Sequence, residues 1–307
     1  MPFHVRDPWR LQYFEQVHCP AHVDIAIDDI DCWAWFPEFR YIYDKLHVAR
    51  SQGVACGTRM DVPVEFPVFA KPRVNLHGMG LGSRVIHNRK EFVTHMSDGM
   101  MWMALFTGPH ISTDCAVVNG NVQWIRHAEG FPWVGAMFKH WIINAADNTE
   151  LTRFLTRWVA RELPHYTGMV NIETIGGRII EAQIRFADQW CDLNGEGWLE
   201  AVVGLYQHGV WAFDDSRRRD GFSVPLFAAH GVVPRHPSSD VQARIRALPG
   251  VASLQITFHE TVPGEDHFMP PGGFRLGILN CWNLQAGFAA REELAKAFAD
   301  VEIMIPK

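Results

Sequence analysis

Residues 167–186 read TGMVNIETIGGRIIEAQIRF. Residues 170–174 and 178–184 have the pattern of two β-strands. Ile175-Gly176-Gly177 supplies the tight turn, because Gly-Gly tolerates the positive φ of a two-residue hairpin. Alternate side chains of a strand share a face. Asn171 and Glu173 therefore point one way from the first strand, and Glu181, Gln183 and Arg185 share a face of the second. Gathered on one side of the hairpin, these oxygen donors suit Mg²⁺ bound through carboxylates and nucleotide phosphates. The same residues would also serve as a solvated outer face carrying one Glu–Arg pair, so the remaining segments must discriminate.

The bulk composition narrows the function classes. A chain of 307 residues can bury a large core and carry two or three subdomains. Its net charge of −6 gives no electrostatic reason to expect a nucleic-acid partner. The one basic run, Arg217-Arg218-Arg219, is flanked by Ser216 and Asp220 and reads as a solvated loop. No apolar run reaches membrane-span length, and the N-terminal MPFHVRDPWR has no signal-peptide core, so no membrane partner and a cytoplasmic location are expected. Six cysteines without a CxxC pair fit buried thiols better than disulfides or a zinc site. His18, Cys19, His22 and Asp24 match no usual metal spacing and read as a turn and strand edge.

Outward from the hairpin, residues 22–28 alternate like a strand, and Tyr43-Asp44-Lys45-Leu46 opens a helix. Residues 63–71, PVEFPVFAK, read as a strand ending at Lys71. Next comes Asn75-Leu-His-Gly-Met-Gly-Leu-Gly-Ser83, with glycines at 78, 80 and 82. Such a loop lets backbone N–H groups approach phosphate oxygens, and a preceding lysine adds a point charge. It is neither a Walker loop nor a Rossmann turn, lacking the GK[ST] ending and a directly following helix pattern. Residues 91–99 read as helix and 100–103 as an apolar linker or strand. A hairpin turns at Asn119-Gly120, and residues 150–162 form an amphipathic helix. Beyond Trp190 come a helix at 197–208, strands at 223–227, 253–259 and 274–280, a Pro/Gly loop at 264–273, and a closing helix at 289–299.

In this order the pieces resemble the ATP-grasp superfamily, including biotin carboxylases, D-alanine–D-alanine ligases and carbamoyl phosphate synthetases. Asp44-Lys45-Leu46 looks like the first nucleotide lysine of that family, and Phe66-Pro-Val-Phe-Ala-Lys-Pro72 is similar to its phosphate-lysine strand. Residues 78–82 stand where its flexible phosphate-covering loop belongs. His110-Ile-Ser-Thr-Asp114 and Arg126-His127 are similar to two carboxylase elements that lie near the nucleotide. Asn171-Ile-Glu173 and Glu181-Ala-Gln-Ile-Arg185 match the paired acidic strands, with Gln183 where the pattern has Asn.

The resemblance implies an α+β ATP-grasp fold. It divides the chain into a reduced N-terminal segment (1–43), a nucleotide-binding core (44–190) and a strand-rich C-terminal cap with a closing helix (191–307). It further implies ATP held by Lys45, Lys71, His77, Gly78, Met79, Gly80, Gly82, Ser83, His110 and His127. One or two Mg²⁺ ions, or Mn²⁺, would sit on Glu173, Glu181 and Gln183, with Lys71 and Arg185 serving the transferring phosphoryl group. The implied activity is an ATP-dependent ligase that makes an acylphosphate from a small-molecule carboxylate for attack by an amine or another nucleophile. A kinase on the same fold and a non-catalytic nucleotide-binding subunit are the other readings. Arg275, at the end of the 264–273 loop, is a candidate grip for a substrate carboxylate. The short N-terminal segment leaves room for a homodimer.

Overall fold

The computed structural model describes residues 2–231 and 234–306. Strand β1 (Phe3–His4) pairs in parallel with β2 (Ile25–Ala26), and helix α1 (Asp29–Trp35) follows directly. The strand read at 22–28 is thus limited to two paired residues. Asp44 caps helix α2 (Lys45–Ser51) by accepting a bond from the Leu46 amide, so Lys45 sits on the first helical turn.

A small four-stranded antiparallel sheet comes next, made from β3 (Cys56–Gly57), β4 (Val68–Pro72), β5 (Arg84–Ile86) and β6 (Met100–Ala104). Strand β4 lies between β6 and β5, and it starts only after Pro67 rather than at residue 63. Prolines 63 and 67 have no N–H to donate to a ladder. Helix α3 (Arg89–His95), capped by Asn88, is shorter than the 91–99 reading, and Met100 onward is strand.

The large sheet is antiparallel. Its strands are β7 (His110–Val118), β8 (Asn121–Pro132), β9 (Phe138–Ile143), β10 (Gly168–Ile175), β11 (Arg178–Gln183), β12 (Gly221–Ala228), β13 (Val251–Ile256), β14 (Phe274–Cys281) and β15 (Ile303–Met304). They run in the order β11-β10-β7-β8-β9-β12-β14-β13, with β15 added to β12. The chain beyond residue 190 therefore continues the same sheet through the β9–β12 pairing. Helix α4 (Thr149–Glu162) lays Leu151, Leu155, Trp158 and Val159 against one face of β7, β10 and β11. Helix α5 (Trp198–His208) packs a second, tryptophan-rich core. Helices α6 (Ser239–Arg246) and α7 (Leu284–Lys296) cover the C-terminal strands. Neither α6 nor β9 was legible as an element, and α7 begins earlier than residue 289. Among the described residues no helix is long and apolar enough to cross a membrane.

The β10–β11 hairpin turns through Gly176 and Gly177, at φ +55° and +75°, as its two-residue loop requires. Its ladder then carries a bulge: Thr174 pairs with Ile179 and Glu173 with Glu181, leaving Ile180 as the extra residue. A bulge-free hairpin would oppose Glu173 to Ile180 and turn Glu181 to the other face. With the bulge, Glu173 faces Glu181 and Asn171 faces Gln183.

Strand β11 is a sheet edge, so its outward backbone groups need partners. Gln52, just past α2, supplies them: its amide oxygen accepts from the Ile179 N–H (2.9 Å), and its Nε2 donates to the Ile179 carbonyl (2.6 Å). Lys71 Nζ donates to the Ile180 carbonyl at 2.6 Å. The edge thereby docks α2 and the small sheet against the bulge.

The turn gives a direct check. An alanine Cβ at 177 would meet nothing within 4 Å, whereas at 176 it would lie 2.3 Å from the Thr107 carbonyl oxygen. Gly177→Ala is expected to cost about 1–2 kcal/mol from its left-handed backbone alone, and Gly176→Ala distinctly more. Urea denaturation of the two variants checks this; equal losses would mean that the turn is not held against residue 107.

Candidate active site

A cavity of about 550 Å³ lies between the small sheet and the bulged end of the large one. Each wall follows from strand alternation. On β4, Val68 and Ala70 enter the small lobe's core while Phe69 and Lys71 face the cavity. On the large sheet His110, Ser112, Asn171, Glu173, Glu181 and Gln183 form the floor, opposite the face that α4 covers.

Two lysines meet two carboxylates there. Lys45 Nζ lies 3.2 Å from Glu181 Oε2, and Lys45 is only 7% exposed. Its register is held by Asp44, which also pairs with Arg73. Burial lowers the Lys71 pKa to about 8, with repulsion from Lys45 adding to the effect and Glu181 and Glu173 opposing it. Burial pushes the Glu181 carboxyl up, but Lys45 and Lys71 outweigh it and hold the group below its ordinary range. His110 Nε2 is 3.0 Å from Glu173 Oε2, beside the rings of Phe138 and Trp141. Burial disfavours the imidazolium, and the Glu173 contact overrides it, so the His110 pKa is raised.

The amides have different surroundings. Asn171 Nδ2 donates to Ser112 Oγ and Asp114 Oδ1, both at 2.8 Å. Gln183 Nε2 reaches Glu181 Oε1 at 3.3 Å, while its own Oε1 is buried without a hydrogen-bond partner. Asp114, next along β7 on the same face as Ser112, accepts also from the Ala187 amide, and burial raises its pKa to about 7.

Arg185 lines the cavity, but its guanidinium is engaged. Nε and Nη2 form two bonds, of 2.7 and 3.1 Å, to the Asp29 carboxylate at the start of α1. Burial works against its charge, and Asp29 more than compensates, raising the pKa further. Asp29 lies directly after the stretch read as a strand at 22–28, and nothing in its spacing connected it with Arg185.

His77, Gly78, Met79, Gly80 and Ser83 line the cavity, and the His77 ring stacks on Phe268 at 5.3 Å. Gly82 does not line it and instead turns beside the Pro72 ring. His127 is a correction to the expected set. It projects from the opposite face of the sheet, buried between Thr113 Oγ1 (2.9 Å) and Thr152 Oγ1 (2.8 Å), under α4. Burial there drives its pKa down to about 4, so it is a neutral core histidine. Arg126 is likewise occupied, donating to the carbonyls of Leu193, Asn194 and Arg219.

Arg275 lines the cavity from β14, 5.3 Å above the Trp9 ring. It is joined there by groups the sequence did not flag. Arg10 is paired with both Asp28 and Asp188, and Asp7 stands before the 3₁₀ turn Pro8–Tyr13. The N-terminal segment thus builds one wall of the cavity.

Among the described residues no three His, Cys, Asp or Glu side chains converge into a cation cage. The floor nevertheless fits Mg²⁺ of the kind that phosphates share. Two carboxylates face each other, an amide oxygen beside them is unpartnered, and two ammonium groups stand within reach of anionic oxygens.

The cleft lies between two α+β lobes, with lysines from the smaller and paired acids from the larger. The chain has the fold of the ATP-grasp superfamily. No protein-family model and no curated protein matches its sequence. Among solved structures it is similar to an L-amino acid ligase from Bacillus licheniformis, at 14% identity and a TM-score of 0.60, over 87% of this chain and 73% of that one. It is similar also to N5-carboxyaminoimidazole ribonucleotide synthetase from Thermus thermophilus, at 15% identity and a TM-score of 0.58, over 87% and 74% of the two chains. The ATP complex of carboxyaminoimidazole ribonucleotide synthase from Aspergillus clavatus gives 10% identity and a TM-score of 0.58, over 86% and 74%.

The His110–Glu173 contact predicts a titration shift. Glu173→Gln removes the charge that favours the imidazolium, so the His110 pKa falls, as followed by NMR of its ring protons. The native pair adds stability that is complete below the imidazole's ordinary pKa and is lost as pH rises through the raised one. An unchanged His110 titration in the variant would mean that the contact is not an ion pair.

Proposed function

We propose that the chain is a Mg-ATP-dependent ligase that activates a small-molecule carboxylate as an acylphosphate. The observation that carries this reading is the facing Glu173–Glu181 pair beneath two buried lysines. Two buried lysines and two half-buried carboxylates gathered in one pocket are costly to maintain without a ligand. They are well matched to a polyphosphate arriving with a divalent cation. The ligase and synthetase names of the structural neighbours support the reaction class.

Lys71 and Lys45 bind the phosphates of ATP, and Lys71 leaves the Ile180 carbonyl to do so. Glu173 and Glu181 hold Mg²⁺, with the Gln183 amide oxygen at the margin of the site. The bound metal would neutralise charge on the phosphate oxygens. Residues 77–80 and Ser83, which line the cavity, cover the phosphates with backbone N–H groups and exclude water. A carboxylate oxygen of the substrate attacks the γ-phosphorus, the bond to the bridging oxygen breaks, and ADP departs. The nucleophile then adds to the acyl carbon and phosphate leaves. The protein contributes positioning and charge stabilisation rather than covalent chemistry. Arg185, held at the cavity wall by Asp29 and the Phe186 carbonyl, presents only its remaining N–H groups to the transferring group, and Arg275 receives a carboxylate of the substrate. The complete set of lysines, acids and Arg185 favours turnover over a purely regulatory subunit.

Glu181→Ala is expected to slow ADP formation by at least about 10²-fold, measured with Mg-ATP against pooled carboxylates and amines. Full turnover in the variant, or production of AMP and pyrophosphate by the native chain, would sink the assignment. The pH dependence follows from Lys71. In the free protein its pKa is lowered to about 8, and phosphates favour the charged form. ATP binding at pH 8–9 therefore takes up a proton, and affinity falls as pH rises through this range. Calorimetry in buffers of different ionisation heat measures the uptake. Lys71→Met abolishes it; proton release on binding would contradict the lysine's role.

A further inference from the structure

We infer that the large sheet carries a second binding site on the face opposite the cavity, formed by Arg291 of α7 and His140 of β9 and suited to a small oxyanion, a phosphate or a carboxylate. The inference goes beyond the ligase reading and does not depend on it.

The place is set by a lapse in the sheet. Along one side of β12, residues 221–223 pair with β9 and residues 227–228 pair with β15. Among the described residues, 224–226 have no strand partner on that side, and Pro225 has no N–H to offer one. Trp141 is the last residue of β9 to pair there, opposite Ser223, so His140 stands at the rim of the gap. Its neighbour Lys139 is a bulge, because Phe131 pairs with His140 and Pro132 with Phe138. Phe138 and Trp141 face the cavity, whereas His140 faces α7.

Two phenyl rings hold the groups of the site. The His140 ring stacks on Phe131 at 4.4 Å, with 15° between the planes, and meets Phe288 edge-on at 5.7 Å. Arg291, one turn along α7 from Phe288, sets its guanidinium carbon 5.0 Å from the centre of that same ring.

Neither polar group has a protein partner. Arg291 is 5% exposed, makes no hydrogen bond or ion pair with a described residue, and has its Nε and Nη1 buried. His140 makes no hydrogen bond with a described residue either, and its Nδ1 is buried. The neighbouring acids do not answer them. Glu292 is exposed and forms no ion pair with Arg291, Glu293 is paired with Lys296, and Glu129, on the His140 face of β8, pairs with neither. Burial lowers the Arg291 pKa, and the charges of Arg291 and Lys139 add to burial in lowering that of His140, so the potential at the imidazole is positive.

A guanidinium withdrawn from water without an acid beside it is costly. Water would accept from its N–H groups and leave the charge uncompensated. An oxyanion supplies both the acceptor atoms and the missing charge. Neutral His140 adds a further N–H from Nδ1 in the tautomer that a ligand oxygen selects. A cation would be repelled by Arg291, and an apolar ligand would leave the guanidinium unanswered.

The test follows the His140 ring protons by NMR, assigned through His140→Gln, while the full chain is titrated with sodium phosphate or sodium acetate at fixed pH. Ionic strength is held constant with chloride, which is also titrated alone. At least one of the two oxyanions should shift these signals saturably, and chloride should not; which one does so identifies the ligand as a phosphate or a carboxylate. Arg291→Met should weaken that binding at least about tenfold, with Arg291→Lys intermediate, and Lys71→Met in the cavity should leave it unchanged. If the Arg291 variants fail to fold, the native chain's response to oxyanion against chloride still decides. No saturable shift with either oxyanion, or an equal shift with chloride, would overturn the site. Binding lost in Lys71→Met and kept in Arg291→Met would overturn it too, by placing the anion in the cavity.

Discussion

One extra residue in an edge strand controls the chemistry of this cavity. Because side chains alternate with period two, the register of β10 against β11 decides whether Glu181 shares a face with Glu173 or opposes it. A two-residue Gly-Gly hairpin alone sets them on opposite faces. Ile180, bulged out of the ladder, brings Glu181 back across from Glu173 and Gln183 across from Asn171. The same bulge turns the Ile180 carbonyl outward, where Lys71 reaches it. Gln52 completes the edge at Ile179. Two elements from the other lobe are thus seated on the distortion that aligns the acids.

That seating brings charges into a partly buried cavity in balanced numbers. Burial would neutralise a lone carboxylate or ammonium group. Here Lys45 and Lys71 keep Glu181 ionised, while Lys71, with a carbonyl rather than a carboxylate as its nearest partner, has its pKa lowered to about 8. Such a lysine gains more from an arriving phosphate than one already neutralised by an acid. Lys45, in direct contact with Glu181, is the more constrained of the pair. Differences in burial and partner, rather than in residue type, therefore separate what the two lysines contribute.

Much of this was legible where a local rule governs. The Gly-Gly turn, the helix opening at Asp44-Lys45, the Asn119-Gly120 turn and the apolar stripe of α4 all follow from short-range chemistry, and each element stands where that chemistry places it. The bulge at Ile180 is not marked by any residue in the hairpin; alternation within each strand was read correctly, but the register between them was not derivable from it. His127 was assigned through its likeness to a nucleotide-proximal histidine. One residue along a strand separates the two faces, and His127 falls on the face that α4 buries. The ion pairs that shape the other wall join residues more than 150 positions apart, Asp29 with Arg185 and Arg10 with Asp188. No local pattern announces such pairs.

Those long-range pairs also explain why the short N-terminal segment matters to the cavity. Its strand pairing is only two residues long, which by itself is weak anchorage. Arg10 and Asp29 tie it instead to the stretch that follows β11, so the segment's position depends on the same strand whose register aligns Glu181. A shift in that register would move Arg185 away from Asp29 and loosen the wall that carries Asp7 and Trp9. The acid pair and the N-terminal wall are therefore coupled through five residues of chain, Glu181 to Arg185. Any change that repairs the bulge into a regular ladder would lose both together.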